Sequence, residues 1–434
     1  MSVRTNPSRP NSQFWKRPDS AVSTTNWSLT CAEPTLAACS LPNFFLTNIQ
    51  QSNIGIRVRS QSFVRQRYHS KKIDLPAPIG FDALMKRLFA FLALFTFSFS
   101  AMSQPEKSID TLFAEFDKTN APGAAIMVIR DGKPVFAKGY GVANLADETR
   151  VSTNTNFRLA SVTKQFTAMS ILILAERGKV SLDDTMTKFL PEFPDYGKQI
   201  TLRQLLNHRS GLIDYEGVMP ANLTIPLSDR DVLWILRQQN KTYFPPGTEF
   251  RYSNSGYALL ALIVENVSGQ KFAAFLKDNI FQPLGMTNSV AYEEGISVVP
   301  NRAFGYAKAK GGFEFSDQSL TSAVLGDGGI YSSVVDLFKW DQALYAEKLV
   351  SRKMLNEAFT AHSAKSDIDG SGYGFGWYVA RHRDTDRIWH YGSTCGFSTE
   401  ISRFPETQLT VIILINRRDA KDADISRKIA DLYW

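Results

Sequence analysis

Apolar and polar positions change rhythm three times along this 434-residue chain. Ile109, Leu112, Phe113 and Phe116 fall on one stripe of a helix predicted over 108–118. Two apolar runs, 124–130 and 133–140, then flank Asp131-Gly132, a dipeptide suited to a type I′ hairpin. Toward the other end, 373–381, 387–391, 397–404 and 409–416 read as strands and 420–432 as a closing helix. Between about 161 and 366 the signals are mostly helical and looped, punctuated by Pro245-Pro246-Gly247, Pro283-Leu284-Gly285 and the glycines from 326 to 329. A two-stranded hairpin is marginal alone, so the early pair is expected to join the late strands in one antiparallel sheet. The predicted fold is therefore mixed α/β of the α+β kind. Strands from both ends build the sheet, terminal helices flank it, and a mostly helical portion (about 161–366) is inserted so that a cleft lies between the lobes.

Residues 85–103 break this rhythm. Lys86 and Arg87 precede an apolar stretch, 88–99, and the small residues Ala101 and Ser103 follow. Twelve apolar residues are too few for a membrane span of about 20, and the layout is that of a secretory signal cut before Gln104. No stable membrane anchor is expected. The stretch 1–84 is rich in Ser, Asn and Gln, poor in acids and without periodicity. It reads as a non-native or disordered extension upstream of a true start at Met85, with an organelle-import leader as the alternative. The working domain is then 104–434, periplasmic or secreted.

Charge supports this division. The formal net charge is +7, but residues 1–103 hold 12 Lys plus Arg against 4 Asp plus Glu, leaving 37 against 38 in the rest. The basic excess is thus no sign of nucleic-acid binding. Of three cysteines, Cys31 and Cys39 lie in the leader, so Cys395 is alone in the main body and a disulfide scaffold is excluded.

Three short motifs carry candidate chemistry. Ser161-Val162-Thr163-Lys164 opens a dense apolar run, 165–176, and residues three apart on a helix share a face, so the lysine can reach the serine hydroxyl. Burial, with the positive end of a helix, would favour the neutral amine. A second Ser-x-x-Lys, Ser268 to Lys271, holds a glycine in a helix-ending turn and marks a terminus instead. Tyr252-Ser253-Asn254 lies on a loop entering a helix. There a tyrosine beside a neutral lysine can shuttle a proton and an amide can bind a substrate, although Asn254 as a helix cap would look the same. His390-Tyr391-Gly392-Ser393 ends a predicted strand, where His390 could hold an anionic or carbonyl group and the open N–H after Gly392 suits an oxyanion. His208, His362 and His382 show no metal-ligand spacing, so no metal or other cofactor is expected.

In this order the three motifs resemble the serine β-lactamase and penicillin-binding-protein superfamily. The similarity is greatest to the branch holding class C β-lactamases, D-alanyl-D-alanine carboxypeptidases, D-stereospecific aminopeptidases and related esterases. Supporting text runs from about 108 to 432 and includes Leu205 to Leu212 (LLNHRSGL) and Gly326 to Ser332 (GDGGIYS). The resemblance implies a nucleophilic Ser161, proton transfer shared by Lys164 and Tyr252, Asn254 as an amide clamp, and an oxyanion hole from the N–H groups of Ser161 and Ser393. It also implies an acyl-enzyme route on a small-molecule or peptide amide, ester or β-lactam. The usual Lys-Thr-Gly is His390-Tyr391-Gly392 here, which favours a peptidase or esterase over a class C-like β-lactamase. A penicillin-binding protein with little turnover is the second alternative. No α/β-hydrolase elbow, Gly-x-Ser-x-Gly, occurs.

Overall fold

The computed structural model describes residues 104–434 except 364, 369 and 420–423; the expected extension and signal segment lie outside the described residues. Chain order begins with helix α1 (Gln104–Leu112) and strands β1 (Ala124–Arg130) and β2 (Lys133–Tyr140). The helical portion carries α2 (Lys164–Glu176), α3 (Asp229–Arg237), α4 (Asn254–Ser268) and α5 (Val334–Ala343). The chain then returns through β3 (Ser371–Tyr373), β4 (Tyr378–His382), β5 (Thr385–Thr394), β6 (Phe397–Phe404) and β7 (Leu409–Ile415) to α6 (Ile425–Asp431). The seven strands form one antiparallel sheet ordered β3-β4-β5-β6-β7-β1-β2, so both ends of the chain share it.

Side-chain alternation explains why this sheet is covered on both faces. Ala124, Ile126 and Val128 of β1 join Val411 and Ile413 of β7 in a cluster with Ile109, Phe113 and Phe116 near α1 and Ile429 of α6. Their neighbours Ala125, Met127, Ile129, Ile412 and Leu414 point the other way, into the main core with α2, α4 and α5. A continuous apolar strand is what burial on two sides requires. Asp131 and Gly132 both adopt positive φ (50° and 71°), as a type I′ turn demands.

Four boundaries differ from the sequence pattern; one is β5, which runs from Thr385 to Thr394 where 387–391 is expected, so Gly392 and Ser393 lie within it. Helix α1 stops at Leu112, although Phe113 and Phe116 stay buried in the turns that follow. The expected strand at 373–381 is two strands, because Gly376 at φ +77° turns the chain between β3 and β4. The closing helix begins only at Ile425. Among the described residues no single helix is long and apolar enough to cross a membrane.

Candidate active site

Ser161 sits on a single 3-10 turn (Ala160–Thr163) that runs directly into α2. In a 3-10 turn side chains three apart eclipse, which aligns Ser161 with Lys164. The turn is clamped from both lobes. The Leu159 N–H donates to the Ile330 carbonyl at 2.8 Å, and the Leu159 carbonyl accepts from Thr399 Oγ1 of β6 at 2.7 Å. Ala160 is held at φ +49°, a conformation costly for a residue with a Cβ and characteristic of functional sites. Strand β5 approaches so closely that a Cβ on Gly392 would lie 2.2 Å from the Leu159 carbonyl oxygen.

Lys164 is fully buried. Its Nζ lies 3.1 Å from Ser161 Oγ, 2.7 Å from Asn254 Oδ1 and 2.9 Å from the Asp327 carbonyl oxygen. Burial pushes its pKa down, while the carboxylates of Asp327, Asp214 and Glu216 pull it back up. As a neutral amine it would have two N–H donors for Asn254 and Asp327 and a lone pair for the Ser161 O–H. Its nitrogen also stands 5.0 Å from the centroid of the Tyr252 ring. Burial raises the Tyr252 hydroxyl well above its ordinary pKa, and a hydrogen bond with the Ser161 side chain acts in the opposite sense.

Asn254 is the first residue of α4, and Ser253, not Asn254, takes the cap position. The Asn254 backbone N–H donates to Asp214 Oδ2 at 2.7 Å, and its side-chain Nδ2 donates to Glu216 Oε1 at 3.0 Å. Glu216 and Asp327 were not singled out from the sequence, yet both line the pocket in front of Ser161. Asp327 is reached by the Tyr215 hydroxyl at 3.0 Å, and burial raises its carboxyl pKa. Asp229, at the start of α3, accepts the Leu325 and Gly326 N–H groups at 3.0 Å each and so seats the turn that presents Asp327. These acids are placed by tertiary contacts, and no spacing rule finds them.

The third motif divides. Ser393 lines the pocket together with Ser161, Asn254 and Arg158. His390 is fully buried, its Nε2 paired with the Tyr373 hydroxyl at 2.8 Å and its Nδ1 with the Tyr391 carbonyl at 2.6 Å. Burial, helped by Lys164, pushes its pKa down to about 3. The histidine expected to hold an anionic or carbonyl group is therefore neutral and turned away from the pocket lining, with Nδ1–H donating to Tyr391 and Nε2 accepting from Tyr373. Among the described residues no group of three or more His, Cys, Asp or Glu could hold a metal ion.

This geometry agrees with three comparisons. A model of the Beta-lactamase family matches residues 109–433. Penicillin-binding protein 4* of Bacillus subtilis is 32% identical over 335 residues, covering 72% of each chain. The octameric penicillin-binding protein homologue from Pyrococcus abyssi superposes with a TM-score of 0.68 at 29% identity, over 76% of this chain and 77% of that one. D-amino acid amidase from Ochrobactrum anthropi SV3 shares the fold at a TM-score of 0.65 and 23% identity, over 76% and 97% of the two chains. The chain belongs to the Beta-lactamase family, and it is a serine hydrolase of that family acting by acyl transfer.

Proposed function

We propose that this protein cleaves amides or esters through an acyl-enzyme on Ser161, as a D-peptidase or esterase, and that its preferred acyl donor carries a free ammonium group. The observation that carries the reading is the 3.1 Å approach of a fully buried Lys164 Nζ to Ser161 Oγ. Lys164, with Tyr252, takes the hydroxyl proton as Oγ attacks the carbonyl carbon. The C–O bond forms, the tetrahedral oxyanion meets the N–H groups of Ser161 and Ser393, and collapse expels the amine or alcohol with the proton returned to it. Water then repeats the sequence on the ester and frees Ser161. Asn254 holds Lys164 and borders the substrate, Gly392 admits β5 against the nucleophile's turn, and His390 acts from behind through Tyr373.

Glu216 supports the ammonium preference. It places a carboxylate at the pocket beside Asn254, and a neutral His390 supplies no counterpart to the lysine that holds a carboxylate in Lys-Thr-Gly relatives. That absence also weighs against efficient β-lactam hydrolysis. The signal-like layout of 85–103 supports export.

The purified protein and Ser161→Ala would be compared on a D-amino-acid amide, a nitrophenyl ester and a chromogenic cephalosporin. The amide and ester should turn over only with Ser161 present, and the cephalosporin slowly or not at all. Equal rates for the two proteins on all three, with no covalent labelling by fluorescent penicillin, would overturn the assignment.

A further inference from the structure

His208 lies in the loop after the short helix Leu202–Leu206, far from the three motifs in sequence, yet it is packed against the second of them. Its ring centroid is 4.2 Å from that of Tyr252. Its Nδ1 accepts the Ser253 N–H at 3.2 Å, and its backbone carbonyl accepts the Arg251 N–H at 3.0 Å. One residue thus grips the segment on both sides of Tyr252, by main chain and by side chain. Burial, with Lys164 nearby, pushes the imidazole pKa well below its ordinary value, so the ring is neutral, and the Ser253 N–H selects the tautomer with Nδ1 free to accept and the proton on Nε2.

Two costs are accepted to keep it there. His208 adopts φ +58°, outside the ordinary range for a residue with a Cβ. Its Nε2 is buried without a hydrogen-bond partner, among the rings of Tyr257, Tyr373 and Phe250. Were packing its only task, a phenylalanine would fill the same space without the orphaned nitrogen. What phenylalanine lacks is the Nδ1 acceptor, and leaving the Ser253 N–H buried without a partner would free the chain at the entrance to α4.

We propose that His208 is a positioning residue for proton transfer, holding the Tyr252 hydroxyl against Ser161 by accepting the Ser253 N–H while its ring supports the Tyr252 ring. The inference rests on the proposed role of Tyr252, and its test separates the two. Ester hydrolysis would be followed as kcat and KM in Tyr252→Phe, His208→Phe and His208→Asn, with thermal unfolding recorded for each. Asparagine presents an oxygen near the place of Nδ1 and tolerates positive φ, whereas phenylalanine keeps only the ring.

His208→Phe should lose about a hundredfold in kcat with KM changed less than threefold, the signature of a misplaced reacting group. His208→Asn should recover at least tenfold of that loss. Equal kcat for the two His208 variants, or a loss that tracks the folded fraction, would overturn the positioning role while leaving Tyr252 in place. Wild-type kcat in Tyr252→Phe would instead overturn the role of Tyr252 itself, and this inference with it.

Discussion

Replacing Glu216 by glutamine isolates one charge. The variant keeps an oxygen for Asn254 Nδ2, which donates to Glu216 at 3.0 Å, so the pocket wall and the Lys164–Asn254 contact should persist. What disappears is the attraction for a substrate ammonium. At a separation of about 4 Å and an effective dielectric of about 20, that attraction is about 4 kcal/mol. Glu216 is open to solvent, and exposed ion pairs retain only about 1 kcal/mol, so a partly screened pair at the pocket mouth should be worth about 1–2 kcal/mol. At 1.36 kcal/mol per tenfold, kcat/KM for a D-alanine anilide should fall about tenfold. The N-acetylated anilide, with no ammonium, should change less than threefold. A second effect has its own sign: Glu216 raises the Lys164 pKa, so its removal should move the acid limb of the ester pH–rate profile to lower pH. Equal losses on the free and acetylated anilides would refute the ammonium subsite, and an unmoved acid limb would refute the electrostatic link to Lys164.

Three further outcomes follow from the same geometry. Lys164→Met should fold but lose acylation by at least a hundredfold, read as absence of a covalent adduct by mass spectrometry, because among the described residues Lys164 is the buried lysine that reaches Ser161. Gly392→Ala would put a Cβ 2.2 Å from the Leu159 carbonyl oxygen, so kcat should fall about a hundredfold as the nucleophile's turn shifts; a wild-type rate would show that β5 does not fix that turn. Between pH 6.5 and pH 4 the unfolded chain protonates His390 while the folded one, with its pKa near 3, does not, so this group's contribution is present above pH 6.5 and lost as pH falls. Wild type should therefore lose up to about 3 kcal/mol more stability over that range than His390→Gln in chemical denaturation, and parallel curves would show that the imidazole is not held neutral.

The sheet was legible because its central strands read as short, nearly unbroken apolar runs, and because Asp131-Gly132 marks its first turn. The break at Gly376 was not, since Tyr373 to Arg381 keeps strand-like composition through a glycine that only its φ identifies as a corner. Ser161 with Lys164, and Tyr252 with Asn254, could be picked out because each pair is adjacent in sequence and stands at a helix entrance. The roles of Glu216, Asp327 and His208 were not legible because each meets the site through contacts 38 or more residues away in sequence. His390 shows a subtler gap: its place in the motif was readable, but its charge depends on burial beside Lys164 and on Tyr373.

Strand β7 stands inside the sheet, pairing on one side with β6 and on the other with β1, where Ala124 faces Ile415. On an emerging polypeptide the first hairpin, complete at Tyr140, therefore waits about 270 residues until its partner strand begins at Leu409. Thr399 and Gly392, which brace the turn bearing Ser161, arrive in the same late segment. Ser161 thus gains its observed surroundings only as the chain closes on itself, so incomplete chains that stop before β5 hold Ser161 and Lys164 without the surface that orients them.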